Sequence, residues 1–168
     1  NSERKFARRM TEKARVLGMA RTQFMNASGL PNRRQQSTAR DMATLAIAIR
    51  RDFPEFYKYF STKSFRWNGQ HFGNHNKLLI NYNGTDGIKT GYIGASGFNL
   101  VAAVKRNGIR LIGVVFGGKT PRSRDRHMKQ ILDKQFKQFK TLTIRRAAST
   151  IPTALPVAPP PRETNLTA

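Results

Sequence analysis

The chain has 168 residues, of which 31 are Lys or Arg and 9 are Asp or Glu, so its net charge is +22. Its length suits one domain with one core. It has no cysteine, which excludes a disulfide framework and thiol chemistry, and no apolar run approaches the roughly 20 residues that span a bilayer. The charge favours anionic partners, which include nucleic acid and acidic cell-envelope polymers.

The first third of the chain has helical periodicity. Apolar residues recur at helical spacing over residues 2–17 and predict an amphipathic helix with Phe6, Met10, Ala14 and Leu17 on its buried face. A turn-rich loop follows at residues 26–36. A second helix is predicted to begin at Thr38, whose hydroxyl can cap it with Asp41 three residues on. Its buried stripe is predicted to be Met42, Leu45, Ala46 and Ile49.

Strands are predicted in the middle of the chain. The stretch "SFRW" alternates between polar and apolar residues before a turn at Asn68-Gly69, and the residues from 70 to 87 are predicted to be mostly loop. Three strands should follow at Ile88–Tyr92, Phe98–Lys105 and Arg110–Phe116. Asn107-Gly108 favours a type I′ hairpin turn between the last two. The expected sheet is therefore an antiparallel meander.

A final helix is predicted after Gly118. Thr120 and Pro121 suit its cap and first position, and its core face should be Met128, Ile131, Leu132, Phe136 and Phe139. Five of the chain's eight prolines lie between Pro152 and Pro161, so residues 147–168 are predicted to be a disordered Pro-rich linker or tail. Residues 1–146 should form a fold of α and β elements, of the α+β type, in which helices flank the antiparallel sheet.

The stretch "GTDGIKTGYIGASGFN", residues 84–99, contains the strongest candidate for chemistry. Lys89 and Gly91 share one face of the predicted strand, and Gly91 would let a ligand approach the backbone. If the strand lies at an edge, an extended peptide could pair with its free backbone groups. A cation, a hydroxyl at Thr90 and a bare edge suit a peptide that ends in a carboxylate. An ordinary surface strand with a bulge would also explain the tripeptide taken alone.

The wider stretch resembles the Lys-Thr-Gly element of penicillin-binding proteins and serine β-lactamases. It is most similar to the low-molecular-mass D-alanyl-D-alanine carboxypeptidases, and other stretches resemble that family in the same order. These are "FMNASGLP", "STARDMATLA", "PEFYKYFSTKSFRWNG", "NHNKLL" and "RLIGVVFGG". The resemblance covers about residue 2 to about residue 140. It implies part of a β-lactamase/transpeptidase-like fold.

The resemblance also implies an activity. Members of the family are serine-type enzymes that trim peptidoglycan stem peptides ending in D-Ala-D-Ala through an acyl-enzyme, outside the cytoplasmic membrane. β-Lactams acylate the same serine in the intact enzyme. No metal or organic cofactor is implied, no specific nucleic acid is expected as a partner, and an anionic envelope surface remains a possible one.

The resemblance assigns roles to individual residues. Lys89 would stabilise anionic charge and proton transfer beside the nucleophile. Thr90 and Arg124 would hold the terminal carboxylate of the substrate, with Gly91 leaving room for it. The backbone N–H of Tyr92 would be an oxyanion donor. Arg124 in the first turn of a helix is mildly disfavoured by the helix dipole, which favours a specific task, although a solvated face with Arg122 and Arg126 is the alternative.

The family's nucleophile is not recognised in this chain. In members of the family, the Ser-x-x-Lys and Ser-x-Asn elements lie before the segment that corresponds to the first helix of this chain. Ser2 and Lys5 have the first spacing by coincidence. The chain is thus expected to hold the C-terminal half of a catalytic domain and to be inactive alone. The strand at 110–116 is expected to have an unpaired apolar edge, which predicts low stability or association.

Two other function classes compete with this interpretation. The charge suggests a non-catalytic nucleic-acid-binding module, but the basic residues are spread over every element without an interleaved aromatic platform. A β-lactamase of the same superfamily would share the Lys-Thr-Gly element. A helical metal pair at His71 and His75 is disfavoured because Gly and Asn lie between them.

Overall fold

The structure is a computed structural model that describes residues 2–149. Its helices are α1 (Glu3–Val16), α2 (Ala39–Asp52), α3 (Pro54–Tyr57), α4 (Leu78–Asn81) and α5 (Pro121–Ser149), and a 3-10 turn covers Lys58–Ser61. The strands are β1 (Ser64–Trp67), β2 (Gln70–Gly73), β3 (Thr85–Ile93), β4 (Gly97–Arg106) and β5 (Ile109–Gly118). One compact unit ends at Phe136, and the chain from Lys137 onward forms a second. No described helix is long and apolar enough to cross a membrane.

The main sheet is an antiparallel meander in the order β3-β4-β5, as the sequence predicts. Each strand is longer than expected. Asn107 and Gly108 have φ values of 47° and 78°, so both adopt the left-handed conformation that a type I′ turn requires. The expected α+β arrangement is confirmed.

Helices cover both faces of this sheet. Successive side chains of β4 point to opposite faces, so β4 contributes to two separate cores. Leu100, Ala102 and Val104 face α5, where Met128 and Leu132 are almost completely buried. Ala103 faces α2 and contacts Ala46. A Cβ added at Gly113 on β5 would lie 2.4 Å from the sulfur of Met128. Glycine is therefore what lets α5 pack so closely on β5.

The helix caps form as predicted. The side chain of Thr38 accepts a hydrogen bond from the Asp41 N–H at 3.1 Å, and that of Thr120 accepts one from the Ser123 N–H at 3.0 Å. The face predicted for α1 is partly wrong, because Phe6 is 53% exposed whereas Ala7 and Ala14 are buried. The small side chains of Ala7 and Ala14 are packed inside the protein, whereas the larger Phe6 ring is not.

The segment after the Asn68-Gly69 turn differs from its sequence prediction. Gln70–Gly73 were expected to be loop, but they form β2 and pair with β1 across the Asn68-Gly69 turn. The sequence signal for the turn was present, but the residues of the second strand show no clear alternation of polar and apolar side chains. The tail predicted from residue 147 begins inside α5, which ends at Ser149, and residues 150–168 lie outside the described residues. The boundary between domain and tail stays a prediction.

Candidate active site

The motif strand β3 lies at one edge of the sheet. It pairs only with β4 within the described chain, and Lys89 is opposite Val101 while Tyr92 is opposite Phe98. The other side of β3 is therefore open to a ligand over part of its length. At its start, the buried amide of Asn76 donates a hydrogen bond to the Gly87 carbonyl at 3.2 Å. This contact ties the loop before α4 to the strand that carries the motif.

A cleft of about 500 Å³ runs along this open edge. It is lined by all five residues that the sequence singles out together with four others, namely His75, Lys77, Lys89, Thr90, Gly91, Tyr92, Phe98, Pro121 and Arg124. No acidic residue lines it, whereas Lys77, Lys89 and Arg124 are cationic. The electrostatic environment of this cleft favours an anionic group.

Lys89 and Gly91 occupy the accessible part of the motif. The Lys89 side chain is exposed and its Nζ donates to the Thr90 carbonyl at 2.8 Å. An ammonium has three donors, so this contact leaves capacity for a ligand. A Cβ added at Gly91 would meet no protein atom within 4 Å. Packing inside the protein therefore does not explain why this position is glycine.

Arg124 forms the buried wall of the cleft, with only 3% of the residue exposed. Its Nε and Nη2 donate to Asp125 Oδ1 at 3.0 and 2.7 Å, and its Nη1 donates to the Asn99 carbonyl at 3.2 Å. A Cβ added at Gly118 would lie 2.7 Å from the Arg124 Cβ. Gly118, at the end of β5, thus provides the space in which Arg124 packs.

A polar cluster holds the N-terminal end of the motif strand. Asp86 on β3 accepts hydrogen bonds from Arg110 on β5 at 2.7 Å and from the Tyr57 hydroxyl at 3.2 Å. Burial and the nearby Asp86 carboxylate raise the pKa of Tyr57 to about 12. The hydrogen bond to Asp86 also raises the pKa of Arg110. The cluster joins β3, β5 and α3, and so fixes where β3 enters the cleft.

Of the other candidates from the sequence, Ser2 and His71 do not line the cleft, whereas His75 does. Ser2 caps α1, where its Oγ accepts the Lys5 N–H at 3.3 Å. His71 is an exposed residue of β2, so the loop expected there was wrong, and His75 lines the cleft. Residues 2–149 contain no group of three or more His, Cys, Asp or Glu side chains that could hold a metal. A role for Ser2 and Lys5 beside the motif has no geometric support.

Comparison with known proteins identifies the family. The sequence pattern of D-alanyl-D-alanine carboxypeptidases matches residues 1–120, which is most of the chain. The chain belongs to the D-alanyl-D-alanine carboxypeptidase family. Within that family it is 40% identical to carboxypeptidase DacC of Escherichia coli and 34% identical to DacF of Bacillus subtilis. These matches cover 84% and 89% of this chain but only 36% and 40% of the relatives.

Solved structures of the carboxypeptidase family have the same fold. Penicillin binding protein 5 of Haemophilus influenzae superposes with a TM-score of 0.76 at 37% identity, over 80% of this chain and 40% of that protein. DacD of Francisella tularensis also reaches 0.76, at 28% identity, over 79% and 45%. A Listeria monocytogenes penicillin-binding protein in its cefotaxime-bound form reaches 0.71 at 28% identity, over 78% and 55%. The chain therefore spans about two fifths to a little over half of these carboxypeptidase-like structures.

Several residues of this carboxypeptidase-family cleft were not predicted from the sequence. His75 and Lys77 line it, and Gly118 makes room for Arg124. The double glycine before the final helix was a signal for close packing. His75 and Lys77 belong to the stretch "NHNKLL", which resembles the family, but neither residue was assigned to the cleft from the sequence.

Proposed function

We propose that this chain supplies the substrate-carboxylate and charge-stabilising part of a serine-type D-Ala-D-Ala carboxypeptidase site. The observation that carries the proposal is that Lys89, Thr90, Gly91, Tyr92 and Arg124 line one cleft without an acidic residue. The ligand would be a peptidoglycan stem peptide that ends in two D-alanines. β-Lactams would occupy the same cleft in the intact enzyme.

The terminal carboxylate of the peptide would be held between the Thr90 hydroxyl and the Arg124 guanidinium. Arg124 already uses three donor contacts, and the guanidinium has five N–H groups, so two remain for a ligand. A charge-assisted pair of this kind is about twice as strong as a neutral hydrogen bond. The peptide would lie along the open side of β3, where Gly91 presents no side chain.

In the whole enzyme, the serine oxygen would attack the carbonyl carbon between the two D-alanines. The carbonyl oxygen would become an oxyanion, and the Tyr92 N–H would donate to it. Loss of such a donor typically costs about 3–4 kcal/mol in the transition state. The C–N bond would then break, the terminal D-alanine would leave as an amine after protonation, and water would hydrolyse the acyl-enzyme.

Lys89 would stabilise negative charge near the serine during these steps. The serine and its lysine base belong to elements that this chain matches only in the coincidental spacing of Ser2 and Lys5, so we infer that residues 1–168 alone do not hydrolyse the peptide. Such a substrate would place the enzyme outside the cytoplasmic membrane, in the cell wall compartment.

Titration of the chain with N-acetyl-D-Ala-D-Ala tests the binding part of this function. In NMR spectra of labelled protein, we expect the amide signals of Lys89 to Tyr92 and of the first turn of α5 to shift. The matched ligand is the same dipeptide with an amidated C-terminus, which should shift them far less. Equal responses to both ligands, or shifts confined to other surfaces, would contradict the proposal.

A further inference from the structure

The β1–β2 hairpin exposes an aromatic face that the proposed carboxypeptidase function does not use. Every residue of both strands is exposed, including Phe65 at 58%, Trp67 at 72% and Phe72 at 40%. Phe65 is opposite Phe72 in the pairing, and Trp67 is two residues along the strand, so the three side chains share one face. The Phe65 and Phe72 rings stack with centroids 5.1 Å apart.

The hairpin presents this face on an ordered scaffold. Asn68 and Gly69 have φ values of 47° and 74°, which a type I′ turn requires. At the base, Asn74 donates from its N–H to the Lys63 carbonyl at 2.8 Å and from its amide to the Thr62 carbonyl at 2.9 Å. Hydrogen-bonded backbone therefore fixes the position of the three exposed rings, of which Phe65 and Phe72 also border a cavity that Lys89 and Thr90 line.

The surroundings of the aromatic face are basic. No Asp or Glu occurs between Glu55 and Asp86, and the charged residues nearest the hairpin in sequence are Lys58, Lys63, Arg66 and Lys77, all exposed. Phe56 and Tyr59, in the turns before the hairpin, are 55% and 63% exposed. The Lys58 Nζ lies 5.5 Å from the centre of the Tyr59 ring. Exposed rings and cations thus alternate along residues 56–72.

We propose that residues 56–72 dock this protein on the surface of an anionic lipid bilayer. Trp, Tyr and Phe rings partition to the boundary between lipid headgroups and acyl chains, and Lys and Arg side chains reach lipid phosphates from the same depth. A soluble polyanion would use the cations but leave the rings in water. The combination of charge and exposed apolar area therefore favours a bilayer over a soluble acidic polymer.

Trp67 is the chain's single tryptophan, so its fluorescence reports on the hairpin alone. With vesicles of equal parts phosphatidylglycerol and phosphatidylethanolamine, we expect a blue shift of the emission and loss of acrylamide quenching. Lipids brominated near the headgroup should quench Trp67. Phosphatidylcholine vesicles should produce little change, and added salt should reverse the effect because it screens the charges.

Two double variants separate the contributions of charge and rings, and a third is the charge control. Lys63→Gln with Arg66→Gln should weaken partitioning by roughly fivefold for each charge removed. Arg33→Gln with Arg34→Gln removes the same charge from an exposed loop between α1 and α2 and should weaken it much less. Phe65→Ser with Phe72→Ser retains all charges and should abolish the blue shift. The brominated-lipid experiment uses the unmodified protein, so it tests the proposal even if a variant fails to fold.

Four outcomes would overturn the proposal. These are no change with either vesicle, an equal change with phosphatidylcholine, the same change with a soluble polyphosphate in place of vesicles, and a lipid-free change that grows with protein concentration. The last would identify a second copy of this chain as the occupant of the aromatic face. None of these outcomes depends on whether the cleft binds D-Ala-D-Ala.

Discussion

Arg124, in the wall of the cleft, forms an ion pair with its sequence neighbour Asp125, with Nη2 2.7 Å from Oδ1. The side chains are only 3% and 14% exposed, respectively. Arg51 and Asp52 form the same kind of adjacent pair at 2.6 Å, but the Arg51 side chain is 67% exposed. The chain therefore contains a buried Arg-Asp pair and an exposed one with identical spacing.

Asp125→Asn should destabilise the protein by about 1–3 kcal/mol, because it leaves a buried guanidinium without its charged partner. Asp52→Asn is the matched control and should change stability little, since water screens the exposed pair. Urea unfolding followed by circular dichroism measures both. An equal effect of the two substitutions would show that burial of the Arg124 pair has no energetic consequence.

Gly118→Ala should lower both stability and binding of N-acetyl-D-Ala-D-Ala. The added Cβ would lie 2.7 Å from the Arg124 Cβ and 3.0 Å from the Phe98 carbonyl oxygen, so Arg124 must move. Thermal melts and the NMR titration report the two effects. Unchanged melting and unchanged affinity would show that Arg124 does not depend on this close contact.

Gly91→Ala should leave the melting temperature unchanged or slightly raised, because its Cβ would meet no protein atom within 4 Å. The same substitution should weaken peptide binding, since the methyl group would stand where we place the ligand. Comparison of Gly91→Ala with Gly118→Ala thus distinguishes a glycine that leaves space for a ligand from one that leaves space for a packed side chain. Normal affinity in Gly91→Ala would place the peptide elsewhere.

Two of the four tyrosines should ionise late in an alkaline titration. Burial, with hydrogen bonds to Asp86 and Asp133, raises the pKa of Tyr57 and of Tyr82 to about 12 from an ordinary value of 10.0. The folded state then binds these protons more tightly than the unfolded state. Their contribution to stability is complete below pH 10 and is lost as the pH rises toward 12.

Ultraviolet absorbance of tyrosinate measures this titration. Tyr57→Phe and Tyr82→Phe should each remove one late-ionising group. An unchanged high-pH step in both variants would contradict the prediction.

Protonation of Asp41 at low pH should lower the stability of the protein. A hydrogen bond from the Thr22 hydroxyl, at 2.6 Å, is the main cause that lowers the pKa of this carboxyl from its ordinary 3.8. Because the folded pKa is depressed, the contribution is present above pH 3.8 and is lost as the pH falls through the folded value. Thr22→Val should raise the pKa, which NMR titration of the Asp41 carboxyl would measure. An unchanged titration curve would assign the shift to other groups.

Fluorescent penicillin should not label residues 1–168 covalently, because Ser2 caps α1 and the family's serine element is matched nowhere else in this sequence. Gel fluorescence after denaturation measures this. Covalent labelling, mapped by mass spectrometry to any serine of the chain, would overturn our account of the nucleophile. Ser2→Ala is the appropriate control for labelling at the N-terminus.

Local features of this protein were predictable from its sequence. Thr38 and Thr120 were recognisable caps, Asn107-Gly108 was a recognisable hairpin turn, and Lys89-Thr90-Gly91 marked the candidate site. Each depends on the backbone preferences of a few adjacent residues and on hydrogen bonds within one or two turns. Such signals remain readable without knowledge of the rest of the fold.

Tertiary structure decided everything that depends on residues distant in sequence. It buried Arg124 beside Gly118, brought His75 and Lys77 to the cleft, and left Trp67 exposed at the hairpin tip. A basic helix residue looks solvated in sequence, and an aromatic residue looks buried, because composition indicates only what a side chain prefers. Whether the preference is met depends on which surfaces pack against that side chain, and only the assembled sheet and its helices determine those surfaces.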